Sequence, residues 1–371
     1  MRAGVVGTGF IGAVHVDALR RLQIDVAGVV GSSPKRAEAK ALAPVYPSYE
    51  ALLEDRSVDV VHVTTPNHLH YPQVKEALAA GKHVVCEKPL ATTAEQSAEL
   101  LDLAEHSGLV HCTNFNIRFY PMVQEARARA SGGELGEIWN VHGGYLQDWL
   151  LFPTDWNWRL DPSEGALRAV ADIGSHWMDL AQFVTGLEIE QVFADLATTI
   201  PVRQRPTGQV ETFASADDVE RVDAPMSTED LGHILLRLRG GAHGSCVVSQ
   251  VSAGRKNSLR FEVDGSRSAL HWDGETPETL WLGRRDGPNE VLLRNPALLD
   301  QRARGTTSLP AGHAEGFADT FKELYRAVYR AVASGQPGDD YPTFRAGHGE
   351  NVLADAVAES SREQRWVEVT L

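Results

Sequence analysis

A chain of 371 residues exceeds what one compact core supports, so two domains are expected. With 35 basic against 50 acidic residues the net charge is −15, and no Lys/Arg cluster forms a patch that could neutralise phosphates, which argues against nucleic acid as a partner. No apolar run approaches the roughly 20 residues that span a bilayer, and the strand-like Ala3–Val6 leaves no room for a signal peptide, so no membrane association and a cytoplasmic location are expected. Three scattered cysteines (Cys86, Cys112, Cys246) give neither a disulfide framework nor a metal site.

In chain order, valine-rich runs at Ala3–Val6, Val26–Val30, Val58–Thr64, His83–Cys86 and Val110–Asn114 have strand length. Between them, Ile11–Leu22, Pro34–Leu42, Tyr49–Leu53, Tyr71–Ala80 and Thr93–Glu105 carry helical patterns. Buried strands alternating with helices imply a doubly wound α/β domain, a parallel sheet covered on both faces. Gly81 and Gly108 stop helices just before strands. After Tyr120 the rhythm changes. Helices are expected over Pro121–Ser131 and Asp172–Thr185, with strands over Ile189–Ala197, Ile234–Arg239, Gly244–Val251, Ser258–Asp264 and Ala269–Trp272. A polar loop is expected over Thr207–Ser227, and two helices, Ala314–Val332 and Arg345–Glu363, close the chain. The expectation is a Rossmann domain over 1–121 and an α+β domain over 122–371 with a largely antiparallel open sheet.

The run "VVGTGFIGAVH" (Val5–His15) places Gly7, Gly9 and Gly12 after a strand and at the start of a helix that Phe10 and Ile11 open. In that context G-x-G-x-x-G cradles the pyrophosphate of a dinucleotide on free helix N–H groups. An Asp or Glu at the end of the second strand would accept hydrogen bonds from the ribose of NAD(H). Here Val30 is followed by Ser32, Ser33, Lys35 and Arg36, two hydroxyls and two cations suited to a 2′-phosphate, so NADP(H) is favoured over NAD(H).

"CEKPLA" sets Glu87, Lys88 and Pro89 at the carboxyl end of a strand, the edge where ligands of open α/β sheets bind. With the glycine loop, "TTPNHLH" (Thr64–His70), "FNIRFYP" (Phe115–Pro121) and "DIGSHWMDL" (Asp172–Leu180), the chain resembles the glucose–fructose oxidoreductase / inositol dehydrogenase (Gfo/Idh/MocA) family over nearly its whole length. The resemblance implies cofactor contacts from Thr65, Pro66, Asn67, His70, Glu87 and Lys88. It also implies that Lys88 reaches the substrate beside the nicotinamide, and that His176 and Asp172 are the acid/base residue and its orienter. Spacing agrees, since Asp172 and His176, at i and i+4, share one face of a helix. One departure is "SEGALRAVAD" (Ser163–Asp172), where family members often carry a glycine-rich run and only Gly165 remains.

Within the family, "YLQDW" (Tyr145–Trp149) and "NWRL" (Asn157–Leu160) are similar to the levoglucosan dehydrogenases and glycoside 3-dehydrogenases. This implies hydride transfer at a secondary hydroxyl or ketone of a sugar, anhydrosugar, cyclitol or glycoside, with C3 of a pyranoside preferred. Two alternatives stand beside it: a glycosidase that oxidises, eliminates and re-reduces with a tightly held cofactor, and a non-catalytic sugar or cofactor sensor. Trp149, Trp156 and Trp158 fall in a loop-like stretch and suit the apolar face of a pyranose, with Arg118, Gln147, Asp148 or Arg159 meeting hydroxyls. His313 is a further substrate candidate, and Glu315 beside it could equally cap a helix. The C-terminal sheet, with apolar groups expected on both faces, is expected to join subunits of a homodimer or homotetramer.

Overall fold

The computed structural model describes residues 1–208, 220–336, 338 and 340–370. Two compact units emerge: 1–116 with 163–165 and 318–351, and 117–162 with 166–317 and 352–371. The chain is therefore not divided by one cut at residue 121.

The first unit holds a five-stranded parallel sheet. It comprises β1 (Arg2–Val6), β2 (Asp25–Val30), β3 (Val60–Val63), β4 (His83–Cys86) and β5 (His111–Thr113), in the order β2-β1-β3-β4-β5. The helices are α1 (Phe10–Arg21), α2 (Pro34–Lys40), α3 (Tyr49–Glu54), α4 (His70–Ala79) and α5 (Ala94–Ser107). Period-2 alternation sends Val61, Val63, Val84 and Cys86 into one core with Leu52, Val74 and Leu100 from α3, α4 and α5. His62 therefore points to the opposite face. The sheet reverses its winding direction between β1 and β3, the switch point at which open α/β sheets bind ligands.

The second unit is built on a nine-stranded sheet. Its members are β6 (Ile138–Leu146), β7 (Ile189–Ala197), β10 (Leu231–Leu238), β11 (His243–Ser249), β12 (Ser258–Gly265), β13 (Ser268–Asp273), β14 (Thr279–Arg284), β15 (Glu290–Leu293) and β16 (Val367–Glu368). The order is β15-β14-β13-β12-β6-β11-β10-β7-β16, antiparallel except for β6 beside β11. A separate ribbon pairs β8 (Val202–Pro206) with β9 (Arg221–Pro225). Helices α6 (Pro121–Ser131) and α7 (Ser175–Thr185) bury Met122, Val123, Trp177 and Leu180 with Val141, Ile234, Val248 and Phe261 of the sheet. The remaining helices are α8 (Gln301–Gly305), α9 (Phe317–Ser334) and α10 (Phe344–Glu363).

Several expectations need correction. The central strand β6 is absent from the expected strands. In the structure a Cβ at Gly143 or Gly144 would stand 2.1–2.2 Å from a carbonyl oxygen of the adjoining strand, so close strand approach selects glycine there. The expected polar loop over Thr207–Ser227 contains β9, while residues 209–219 lie outside the described residues. Most of α9 belongs to the first unit, not the second. The outer sheet face is not generally apolar: β12 presents Arg260, Glu262 and Asp264 there, and Leu235 and Val247 are the exposed apolar residues of β10 and β11. Among the described residues, no helix is long and apolar enough to cross a membrane.

Candidate active site

The glycine loop leaves β1 with Gly7 at φ +105°, where a Cβ would stand 2.5 Å from the Thr64 carbonyl oxygen. A Cβ at Gly12 would stand 2.2 Å from the Gly7 carbonyl oxygen. At Gly9, by contrast, among the described residues no atom beyond its own chain neighbours lies within 4 Å of that position. The first and third glycines are thus demanded by the chain itself, and the second leaves open room at the start of α1. That helix has no side-chain cap and no acidic residue in its first turn, so its N–H groups and positive dipole end suit an anion. The residues fit a dinucleotide. Phe10 is 54% exposed beside this space. At the end of β2, Ser33 accepts the Arg36 N–H as the cap of α2, and Ser32, Lys35 and Arg36 are exposed.

Beyond β4 the chain is held on both sides of Lys88. Glu87 is buried; its Oε2 accepts the Lys88 N–H at 3.2 Å, and its Oε1 lies 3.0 Å from His15 Nε2 and also receives the Asn114 amide. On the other side, the Pro89 carbonyl lies 2.7 Å from His70 Nδ1, whose Nε2 is 2.8 Å from the Thr65 carbonyl. Burial lowers the His70 pKa despite both carbonyls. His70 was expected to touch cofactor. In the structure its two ring nitrogens face the Pro89 and Thr65 carbonyls, and as a neutral imidazole it donates to one of them. In the same loop Thr65 Oγ1 reaches Gln73, while Asn67 and His68 bind Glu164, with His68 Nδ1 2.8 Å from Glu164 Oε1. Glu164 lies in the stretch that departs from the family pattern.

In the second unit Asp172 sits in a π-helical turn, Val170–Gly174, that runs into α7 and His176. The regular α-helix expected from Asp172 onward is thus wound one residue wider at its start, a feature often found at functional sites. Glu229 caps this segment by accepting the Arg168 and Val170 N–H groups. The Asp172 carboxylate accepts from Arg159 Nε at 3.1 Å and from Gln250 Nε2 at 2.9 Å. Gln250 is in turn met by Arg168, which joins Arg203 on the fully buried Asp230. The Arg159 guanidinium lies 4.3 Å over the Trp158 ring. His176 is buried with its ring 6.3 Å from that of Tyr145.

Trp149, Trp156 and Trp158 are all half-buried, and Trp149 Nε1 donates to Gln147 at 2.8 Å. Two expected hydroxyl partners have charged partners of their own. Arg118 forms a two-pronged pair with buried Asp179, and Asp148 meets Lys256 at 2.7 Å. His313 sits on an exposed turn, and Glu315 is buried against Arg294. Sequence reasoning missed Gln250, Glu229, Arg168 and Glu164. No motif marks them, since each acts on residues 59–96 positions away.

The second unit thus groups an oriented carboxylate, an imidazole one turn on and an aromatic–guanidinium face, and the first holds an anion cradle and a braced lysine. Residues 1–115 match the profile of the oxidoreductase family with an NAD-binding Rossmann fold, and residues 123–271 match the GFO/IDH/MocA C-terminal domain. The chain is 28% identical over 388 aligned residues to the levoglucosan dehydrogenase of Pseudarthrobacter phenanthrenivorans, covering 100% of this chain and 98% of that protein. It is 29% identical over 272 residues to an NADP(+)-dependent D-xylose 1-dehydrogenase of Haloferax volcanii, 71% of this chain and 82% of that one. A solved levoglucosan dehydrogenase in complex with NADH and L-sorbose superposes with a TM-score of 0.90 at 28% identity, over 100% of this chain and 99% of that one. The glycine cradle, the braced lysine and the matches across both units make this chain a member of the Gfo/Idh/MocA oxidoreductase family, with an NAD-binding Rossmann fold.

Proposed function

We propose that the protein is an NAD(P)-dependent dehydrogenase/reductase of sugars, acting on a secondary hydroxyl or ketone and preferring C3 of a pyranoside. The observation that carries this reading is the Trp158–Arg159–Asp172 cluster leading into His176. It joins an apolar ring face, a guanidinium and a carboxylate held by Arg159 and Gln250 one turn before an imidazole. A pyranose offers C–H faces to the first and hydroxyls to the others. A carbon-bound hydrogen cannot leave with its electron pair unless the hydroxyl on that carbon loses a proton. In this reading His176 in its neutral form takes that proton, Asp172 one turn before it serves as its orienter, as the family resemblance implies, and the Lys88 ammonium stabilises the charge developing on oxygen. Gly7, Gly9 and Gly12 with Phe10 and Ile11 would hold the dinucleotide, whose nicotinamide accepts or returns the electron pair. Of the expected hydroxyl partners, we place these contacts on Gln147 and on Arg159, whose guanidinium lies between Asp172 and the Trp158 ring. The test is a screen of pyranosides, anhydrosugars and inositols with each cofactor, read by absorbance of reduced nicotinamide. Turnover of a pyranoside supports the reading. Aglycone release without net cofactor reduction would instead mark oxidation, elimination and re-reduction at the same site.

The cofactor is proposed to be NADP(H). The residues after β2 include no carboxylate before Glu38, and Ser32, Lys35 and Arg36 stand exposed. Arg36→Ala should raise KM for NADP(H) and leave that for NAD(H) nearly unchanged. Tighter binding of NAD(H) by the wild type, the cofactor named for the levoglucosan dehydrogenase complex, overturns it. Trp158→Ala should weaken sugar binding by roughly 1–3 kcal/mol, the scale of burying one large apolar side chain, with cofactor KM unchanged. A sugar KM that does not move removes Trp158 from the site. The outer face of the nine-stranded sheet, with Leu235 and Val247 exposed, is proposed as the contact of a homodimer or homotetramer. Light scattering at micromolar concentration should then give a dimer or larger, and a monomer rejects this.

A further inference from the structure

A line of polar side chains runs through the core of the first unit. His15 on α1 and His62 on β3 are fully buried, and Tyr329 on α9 is nearly so. His15 Nε2 lies 3.0 Å from Glu87 Oε1, His15 Nδ1 lies 3.0 Å from His62 Nδ1, and His62 Nε2 lies 3.1 Å from the Tyr329 hydroxyl. Phe321 and Tyr325 wall the chain, with the Tyr325 ring 4.8 Å from His62 and 5.1 Å from His15. A helix packed on a parallel sheet needs only apolar groups at these positions, as Val61 and Val63 show on the other face of β3. Burying two imidazoles and a phenol costs desolvation that a valine or leucine would avoid. Their placement calls for a task other than packing.

Counting protons shows what the line does. A carboxylate only accepts, so His15 Nε2 carries a hydrogen toward Glu87. The two Nδ1 atoms share one hydrogen between them. Burial, and then the neighbouring His15, push the His62 pKa well down, so His62 holds a single proton. If His62 Nδ1 donates to His15, its Nε2 must accept from Tyr329, and every donor in the line points toward Glu87. If His15 donates to His62, then His62 Nε2 donates to Tyr329. Glu87 receives the His15 hydrogen in both arrangements. Its other oxygen holds the Lys88 N–H, and the His70 ring lies against the Pro89 carbonyl on the far side.

We propose that His15, His62 and Tyr329 are positioning residues that fix the Glu87 carboxylate and, through it, the placement of Lys88. This rests on the reading that Lys88 is catalytic. Small misplacements of a catalytic group are costly, on the order of 10²-fold for about 1 Å. His15→Leu should lower kcat by roughly 10–100-fold and Tyr329→Phe by a smaller factor, with sugar and cofactor KM within about twofold of wild type. His15→Gln keeps an N–H donor for Glu87 and should recover much of the loss. In a Lys88→Ala background, His15→Leu should cost nothing further, because both act through one group. A merely structural role would lower kcat equally in both backgrounds or move both KM values. Nitrogen-15 spectra of the cofactor-free protein should show a protonated His15 Nε2 in slow exchange with water, and a bare Nε2 overturns the chain. Full activity of His15→Leu beside an inactive Lys88→Ala overturns the positioning role alone, whereas an active Lys88→Ala overturns the catalytic reading and this inference together.

Discussion

Replacing Lys88 by Ala is expected to lower kcat by roughly 10²–10⁴-fold, the size of a positioned acid/base or charge-stabilising contribution. The same loss is expected for His176→Ala. In the proposed mechanism the lysine brings a cation to an oxygen that gains negative charge only as the reaction proceeds, so its removal should depress kcat and kcat/KM together. In the proposed mechanism His176 removes the proton whose loss must accompany that of the hydrogen on carbon. Asp172→Asn should cost less, because the one amide oxygen still accepts from Arg159 or from Gln250 and the base itself remains. Cofactor binding, read by fluorescence titration, should persist in all three. Steady-state rates of purified variants decide the matter. Near-wild-type turnover by Lys88→Ala or His176→Ala would remove that residue from the mechanism.

Asp230→Ala is expected to destabilise the protein by about 3–5 kcal/mol, the scale for removing one partner of a buried ion pair. The Asp230 carboxylate lies between Arg168 and Arg203, all three side chains being at most 1% exposed. Burial alone would raise its pKa, but the Ile200 N–H and the two guanidiniums outweigh this and hold it below the ordinary value. Without the carboxylate, two guanidiniums stay buried without this counter-charge. Because the folded-state pKa is depressed, this stabilisation is present above the unfolded carboxylate range and is lost as pH falls through the lowered value. Urea unfolding at neutral pH measures the effect, and a change under about 1 kcal/mol contradicts it. Arg168 also reaches Gln250, which holds Asp172, so Asp230→Ala should lower activity along with stability.

The glycine loop, the E-K-P stretch and the D-x-x-x-H pair were legible in the sequence because each is local. Their chemistry depends on residues within a few positions, and the flanking strand and helix patterns supply the context. The alternation of valine-rich strands and helices likewise sufficed for the Rossmann domain, since parallel strands buried on both faces read as continuous apolar runs. Short polar strands did not reveal themselves: β8 and β9 bury few side chains and carry no alternation to detect. An apolar stripe shows that a helix is buried but not against what, so only the tertiary structure placed Phe321, Tyr325 and Tyr329 of α9 against His15 and His62. The same holds for Gln250 and Arg159 on Asp172, Glu229 on the π-turn and Glu164 on His68. The sequence by itself determined the fold class and put forward the residues proposed for the chemistry, because backbone demands and helical spacing are local. Which carboxylates and imidazoles are held, and by what, was decided only by the tertiary structure, because a buried polar group takes its partner from whatever the folded chain brings within about 3 Å.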